Sequence, residues 1–114
     1  MKLAEIISIL NAKVICGTFS EKDEVEYGFS SDLMSDVLTL DIENMLLITG
    51  LANVQTIRTA EMADIKYIVF VRNKKVNEDI LELATENGMI ILESPYSLFR
   101  ASGLLYNAGL QPIY

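Results

Sequence analysis

Two Ser-Asp pairs four residues apart, Ser31-Asp32 and Ser35-Asp36 in the stretch YGFSSDLMSDVL, are residues whose types and spacing could hold an ion or a polar ligand. Hydroxyls and carboxylates in that pattern suit a hard cation or a network of hydrogen bonds. The same residues suit a helix start, where Ser30 or Ser31 caps and Asp32 in the first turn favours the dipole. Capping accounts for the first pair only. Asp36 lies four residues from Asp32, and such a like-charge pair disfavours a helix by roughly a few tenths of a kcal/mol. Asp36 is therefore expected to face a basic group or a backbone N–H, with a bound cation as the alternative.

Residue types exclude much other chemistry. The chain has no histidine and one cysteine, Cys16, so zinc, haem and iron–sulfur ligand sets are missing, and serine or cysteine nucleophiles have no imidazole base. Cys16 ends an apolar strand beside Gly17 and reads as buried and inert. The acidic runs EKDEVE and NED fall in a turn region and at a helix start, where a charge run is a solvated face. No Walker sequence or GxGxxG follows any strand. The chain is accordingly read as non-enzymatic, with no cofactor and no metal.

A small anion is the remaining ligand class. Three apolar runs, MLLITG from Met45, YIVFVR from Tyr67 and MIILES from Met89, start at equal spacing and read as strands separated by one helix each. Ligands of parallel sheets bind outside the carboxyl ends of the strands. Those ends carry Thr49-Gly50, Arg72-Asn73-Lys74-Lys75 and Glu93-Ser94, and helix N-termini follow, which favour an anion beside Arg72 and Lys74. With the polar residues of the earlier stretch, the candidate ligand-binding set is Ser30, Ser31, Asp32, Thr49, Gly50, Asn53, Arg72, Asn73 and Ser94. Turn and capping duties, with solvated basic residues, account for the same residue types.

The elements that must position these residues follow from periodicity. NVQTIRTAEMAD reads as a helix with Val54, Ile57 and Met62 on one side. NEDILELATENG reads as a second, capped by Asn77 and ended by Asn87-Gly88. In SPYSLFRASGLLYNAGL, Ser94 is the expected cap and Pro95 the first position of a final helix burying Leu98, Ala101 and Leu105. Phe99 and Tyr106 share one face of that helix, read as core, or as a dimer contact if exposed. Upstream, LAEIISILN is an amphipathic helix, AKVICG a strand, TFSEKDEV a polar turn of the kind that joins antiparallel strands, and EVEYGFS an alternating strand. The expected fold is α/β: an N-terminal helix and two strands, then a parallel β-α-β-α-β unit with a C-terminal helix, the helices packed on the sheet.

Length and composition set the remaining bounds. At 114 residues the chain is read as one domain, residues 1–114. Its apolar fraction of 51% and mean hydropathy of +0.31 leave apolar surface for a partner to cover, most simply a second copy, so a homodimer is expected. A net charge of −7, with scattered cations, gives no electrostatic footing for nucleic acid. The start MKLAEIISILNAKV is interrupted by Glu5 and Asn11 and reads as neither signal peptide nor membrane span. Cytoplasmic localisation without membrane association is expected.

The order KLAEIISILNAKVICG, YGFSSDLMSDVL, LLITG and YIVFVRNKKVNEDILELATENGMIILESPYSLFRASGLL resembles the DRTGG domain along nearly its whole length, as a stand-alone copy. The most specific pieces are Ser31–Val37 and Tyr67–Glu93. DRTGG domains occur fused to CBS-domain pyrophosphatases, phosphotransacetylases and cobyrinic acid synthase-like domains, and their fold resembles the N-terminal domain of HPr kinase/phosphorylase. The resemblance implies a non-catalytic regulatory or interaction domain that senses a small metabolite or nucleotide for a partner metabolic enzyme. The alternative is an enzyme or ligand carrier acting on a small phosphorylated or acyl anion at the strand ends, with Arg72 and Lys74 supplying charge. This chain departs from the family at Leu51-Ala52, where the motif's charged residues fall, and at Arg72-Asn73, where two glycines are expected.

Overall fold

The computed structural model describes all residues from Met1 to Tyr114. The three apolar runs form neighbouring parallel strands, β3 (Met45–Thr49), β4 (Tyr67–Phe70) and β5 (Ile90–Glu93). Every residue of the first two is buried, as expected of parallel strands covered on both faces. The helices between them are α3 (Val54–Met62) and α4 (Glu78–Glu86). Asn53 and Asn77 cap these helices by accepting from the amides of Thr56 and Ile80, each at 3.0 Å.

Three further strands extend the sheet, one on one side and two on the other. At one edge β1 (Lys13–Cys16) runs antiparallel to β5; beyond β3 lie β2 (Tyr27–Ser30) and the short edge strand β6 (Gln111–Pro112), both parallel, giving the order β1-β5-β4-β3-β2-β6. The expected antiparallel pairing of β1 with β2 is therefore corrected. The polar stretch TFSEKDEV is a crossover beneath the amino ends of the strands. It spans the four inter-strand steps from β1 to β2, roughly 19 Å, which an extended chain of its length covers easily. The burial available beside β3 outweighs the local hairpin signal.

Asp23 ties this crossover to the sheet. Its Oδ1 accepts from the Tyr67 hydroxyl at 2.6 Å, with Lys66 Nζ at 3.5 Å, and its Oδ2 accepts from the Ser20 amide at 2.8 Å. These bonds, the one from Tyr67 foremost, hold the Asp23 carboxyl below its ordinary pKa. Burial, then the bond to Asp23 and the nearness of its charge, push the Tyr67 phenol well above its ordinary range.

Each face of the sheet carries its own core. One packs Leu3, Ile6 and Leu10 of α1 (Leu3–Ile9) and its end, with Ala101 and Leu105 of α5 (Leu98–Asn107), onto Leu46, Ile48, Val69 and Leu92. The other packs Ile57 and Ala60 of α3, Ile80 and Ala84 of α4, and Val37 of α2 (Met34–Val37) onto Leu47, Ile68, Phe70 and Ile91. A fully buried side chain of this size contributes roughly 1.5–3 kcal/mol. Cys16 is buried on the second face, its Sγ 3.6 Å from the Met89 carbonyl. No helix is long and apolar enough to cross a membrane.

Several helix details differ from expectation. Ser97, not Ser94, caps α5, accepting from the Arg100 amide at 3.1 Å, because Ser94 is drawn into the core. Met62 is 69% exposed, five residues beyond Ile57 and so rotated off the buried face. Phe99 and Tyr106, read first as core, are 90% and 65% exposed; Ala101 and Leu105 occupy the inward face instead. Helix α2 is a single turn beginning at Met34 with no side-chain cap, so Asp32 stands before it rather than inside it. Asp36 is exposed and makes no side-chain hydrogen bond or ion pair, contrary to its expected pairing. The short helix removes the like-charge conflict that pairing was meant to relieve.

Candidate functional site

The carboxyl ends of β2, β3 and β4 converge on Asp32. Its Oδ1 accepts from the Gly50 amide at 2.7 Å and from the Thr49 hydroxyl at 2.9 Å. Its Oδ2 lies 3.6 Å from Arg72 Nη2, and the two side chains are 44% and 49% exposed. A backbone N–H, a hydroxyl and a guanidinium thus surround one carboxylate, a donor set suited to any oxyanion.

Local structure fixes these donors. Thr49 ends a buried strand and is itself fully buried; its Oγ1 also accepts from the Leu51 amide at 3.1 Å. Gly50 is the platform on which the arginine lies: a Cβ there would stand 2.4 Å from Arg72 Nη2 and 2.6 Å from its Nε. Arg72 Nη2 is also 3.4 Å from the Gly50 carbonyl. Arg72 and Asn73 occupy the left-handed region at φ +62° and +56°, the centre of a turn closed by the Lys74 amide on the Val71 carbonyl at 3.4 Å. Asparagine tolerates that conformation, whereas arginine is strained in it by about 1–2 kcal/mol. The turn is held by the Arg72 amide on the Tyr96 carbonyl at 2.7 Å and the Asn73 amide on the Ser94 carbonyl at 3.1 Å.

The other candidates separate into different duties. Ser31 organises the chain before α2, its hydroxyl accepting from the Leu33 amide at 2.9 Å. Ser30 turns to α5 and shares a 2.6 Å hydrogen bond with Ser102. Asn53 is the cap of α3. Ser94 is fully buried, donating to the Leu10 carbonyl at 2.7 Å and accepting from the Tyr96 amide at 3.3 Å. Lys74 and Lys75 are exposed and enter no ion pair. The structure therefore gathers Asp32, Thr49, Gly50 and Arg72, with Asn73 shaping the turn; Ser30, Asn53 and Ser94 lie outside that cluster.

Other features were not read from the sequence. A groove of about 330 Å³ opens between α5 and the β2–β6 edge, lined by Gly28, Ser30, Ile48, Phe99, Ser102, Gly103 and Tyr106 among others. The Arg100 guanidinium stacks over the Tyr96 ring at 3.9 Å, beside the carbonyl that anchors Arg72. The shared face of Phe99 and Tyr106 is legible in the sequence; the groove beside it, lined also by Gly28 and Ile48 of the sheet, is not. Nothing in the spacing of Asp32 and Gly50 signals their contact.

The DRTGG domain family matches residues 5–108. The fold is also similar to a crystal structure of the CBS and DRTGG domains of the regulatory region of Clostridium perfringens pyrophosphatase, complexed with activator, diadenosine tetraphosphate. The TM-score is 0.68 and the identity 17%, over 91% of this chain and 45% of that one. The chain thus spans less than half the length of that structure, and the likeness is one of fold. No curated protein matches the chain.

Proposed function

This chain belongs to the DRTGG domain family, and from that premise we propose that it is a non-catalytic regulatory domain that senses a small phosphorylated metabolite or nucleotide for a partner metabolic enzyme. The observation that carries this reading is the oxyanion-type donor set of Gly50 N–H, Thr49 Oγ1 and Arg72 at the strand ends. Parallel sheets bind ligands at such ends. Two of the donors belong to the sheet or its immediate end, so the set is preorganised. The pyrophosphatase regulatory region is complexed with a nucleotide activator, which supports the same ligand class here. The alternative of an enzyme acting on that anion has no histidine to supply a base at the strand ends.

A homodimer through α5 belongs to this reading. Phe99 and Tyr106 stand at either end of an exposed face with Ser102 and Gly103 between them. The spacing is symmetric about the middle, so two antiparallel copies would set Phe99 against the partner's aromatic and bring the small residues into close contact. Sedimentation equilibrium should give a dimer mass, and Phe99→Asp a monomer; a wild-type monomer at tens of micromolar refutes this part.

Calorimetric titration with AMP, ATP, diadenosine tetraphosphate and acetyl phosphate tests ligand sensing. Binding of at least one, weakened about tenfold or more by Arg72→Ala, is expected from loss of a charge-assisted contact. No binding by any of them, or binding indifferent to Arg72, contradicts it.

A further inference from the structure

The donors at the strand ends already hold an anion, and it comes from the chain itself. Asp32 presents two oxygens and a negative charge to the Gly50 amide, the Thr49 hydroxyl and the Arg72 guanidinium. A phosphoryl group would present the same chemistry with one more oxygen and a larger charge. We propose that Asp32 is a displaceable internal occupant of an oxyanion site, and that a phosphate monoester, free or as the terminal phosphate of a nucleotide, binds by exchanging with its carboxylate. This rests on the ligand-sensing reading above and adds how the site is controlled.

Two of the three donors, the Gly50 amide and the Thr49 hydroxyl, are fixed by the end of β3, and the occupant is not. Thr49 is fully buried at the end of a central strand, and the Arg72 backbone is anchored to the Tyr96 carbonyl. Gly50 leaves room for the guanidinium directly above it. Asp32, by contrast, lies on the connection after β2, with its side chain 44% exposed. The α2 turn that follows has no side-chain cap, and Leu33 and Leu38 around it are 57% and 45% exposed. Rotation of one side chain, or a small shift of this connection, would free all three donors.

Exchange has two consequences. Without ligand, Asp32 keeps the Gly50 N–H and Thr49 hydroxyl satisfied and Arg72 paired, so the empty site is not left with orphaned donors. Ligand affinity is then reduced by the fraction of molecules in which the carboxylate has left, which sets a concentration threshold. Where the connection itself shifts, the adjoining Leu33, 57% exposed, moves with it and changes an apolar surface that a partner protein can read.

Calorimetry with inorganic phosphate and AMP on wild type, Asp32→Ala, Asp32→Asn and the Asp32→Ala/Arg72→Ala double variant tests the exchange. Asp32→Ala should bind phosphate about tenfold or more tighter than wild type, because the internal competitor is gone. The double variant should lose that gain. Asp32→Asn keeps an oxygen for Gly50 but no charge, and should fall between; it decides the matter if Asp32→Ala does not fold. A folded variant binding phosphate no more tightly than wild type overturns the proposal. Nucleotide binding by wild type that is unchanged in Asp32→Ala overturns exchange but leaves ligand sensing standing. Tight phosphate binding by Asp32→Ala, with no nucleotide bound by wild type, keeps exchange and removes the sensing role.

Discussion

Replacing Gly50 with alanine should separate the candidate site from the stability of the fold. A Cβ at Gly50 would lie 2.4 Å from Arg72 Nη2, 2.6 Å from Nε and 2.8 Å from Cζ, and all three obstacles belong to the end of one flexible side chain. The guanidinium therefore moves and the backbone stays. What is lost is the 3.4 Å contact to the Gly50 carbonyl and the 3.6 Å pairing with Asp32. Both charged partners are about half exposed, so the pair is worth about 0–1 kcal/mol after solvent screening. Gly50 has no positive φ, so alanine reduces unfolded-chain entropy and returns about 0.4–1 kcal/mol. The net change in stability should lie within about 1 kcal/mol of zero, a melting shift of no more than about 4 °C. Urea denaturation measures the first quantity, and titration with the ligand identified for wild type measures the second, which should weaken about tenfold or more. A destabilisation above about 3 kcal/mol would refute the reasoning, since it would mean that the main chain, and not the arginine, requires glycine there.

Three further perturbations probe the surroundings. Ser94→Ala removes the buried donor to the Leu10 carbonyl and should destabilise by about 1–3 kcal/mol in urea unfolding, without loss of ligand binding if Ser94 is structural. Arg72→Gly and Arg72→Ala both delete the guanidinium, but only glycine relieves the left-handed backbone at φ +62°; Arg72→Gly should be the more stable by about 1 kcal/mol, as differential scanning calorimetry can show. Tyr67→Phe should flatten the dependence of stability on pH at both ends. Asp23, its pKa lowered chiefly by the Tyr67 hydroxyl, stabilises the fold above the ordinary carboxylate pKa of about 4, and this is lost as pH falls through the depressed folded value. Tyr67, its pKa raised, contributes stability below about pH 10 that is lost as pH rises through the folded value. Urea midpoints near neutrality and at the two extremes, compared between wild type and variant, check both signs.

Much of the fold was legible because its signals are local. The runs at Met45, Tyr67 and Met89 have nothing polar to place on either side, which only strands covered on both faces allow. Asn53 and Asn77 sit immediately before apolar periodic segments and cap them. The pairing of β1 with β5 was hidden because strand partners distant in sequence are chosen by burial, and the polar TFSEKDEV looks the same as a hairpin or as a crossover. Ser94 followed by Pro95 carried the residue types of a helix start, yet the interior claimed the serine and left Ser97 to cap.

The site divides along the same line. Strand ends were readable from the apolar runs, so Thr49, Gly50 and Arg72 could be named. That Asp32 turns to Gly50 instead of serving a helix dipole depends on how short α2 is, and helix length is poorly written in YGFSSDLMSDVL. The positive φ at Arg72 and Asn73 is a backbone conformation that glycine adopts at the least cost. Here asparagine tolerates the turn, while the arginine gains a contact with Asp32 that glycine could not make.

The central claim is that an anion binds where Asp32, Gly50 and Arg72 meet, and the Gly50 amide reports on it directly. In ¹H–¹⁵N spectra of the wild-type protein titrated with AMP, the Gly50 amide and Arg72 Nε–H resonances should move together and saturably, with Leu33 following as Asp32 leaves. Saturable binding that shifts residues of the α5 groove, such as Ser102 and Gly103, while Gly50 and Arg72 stay still, would contradict the account.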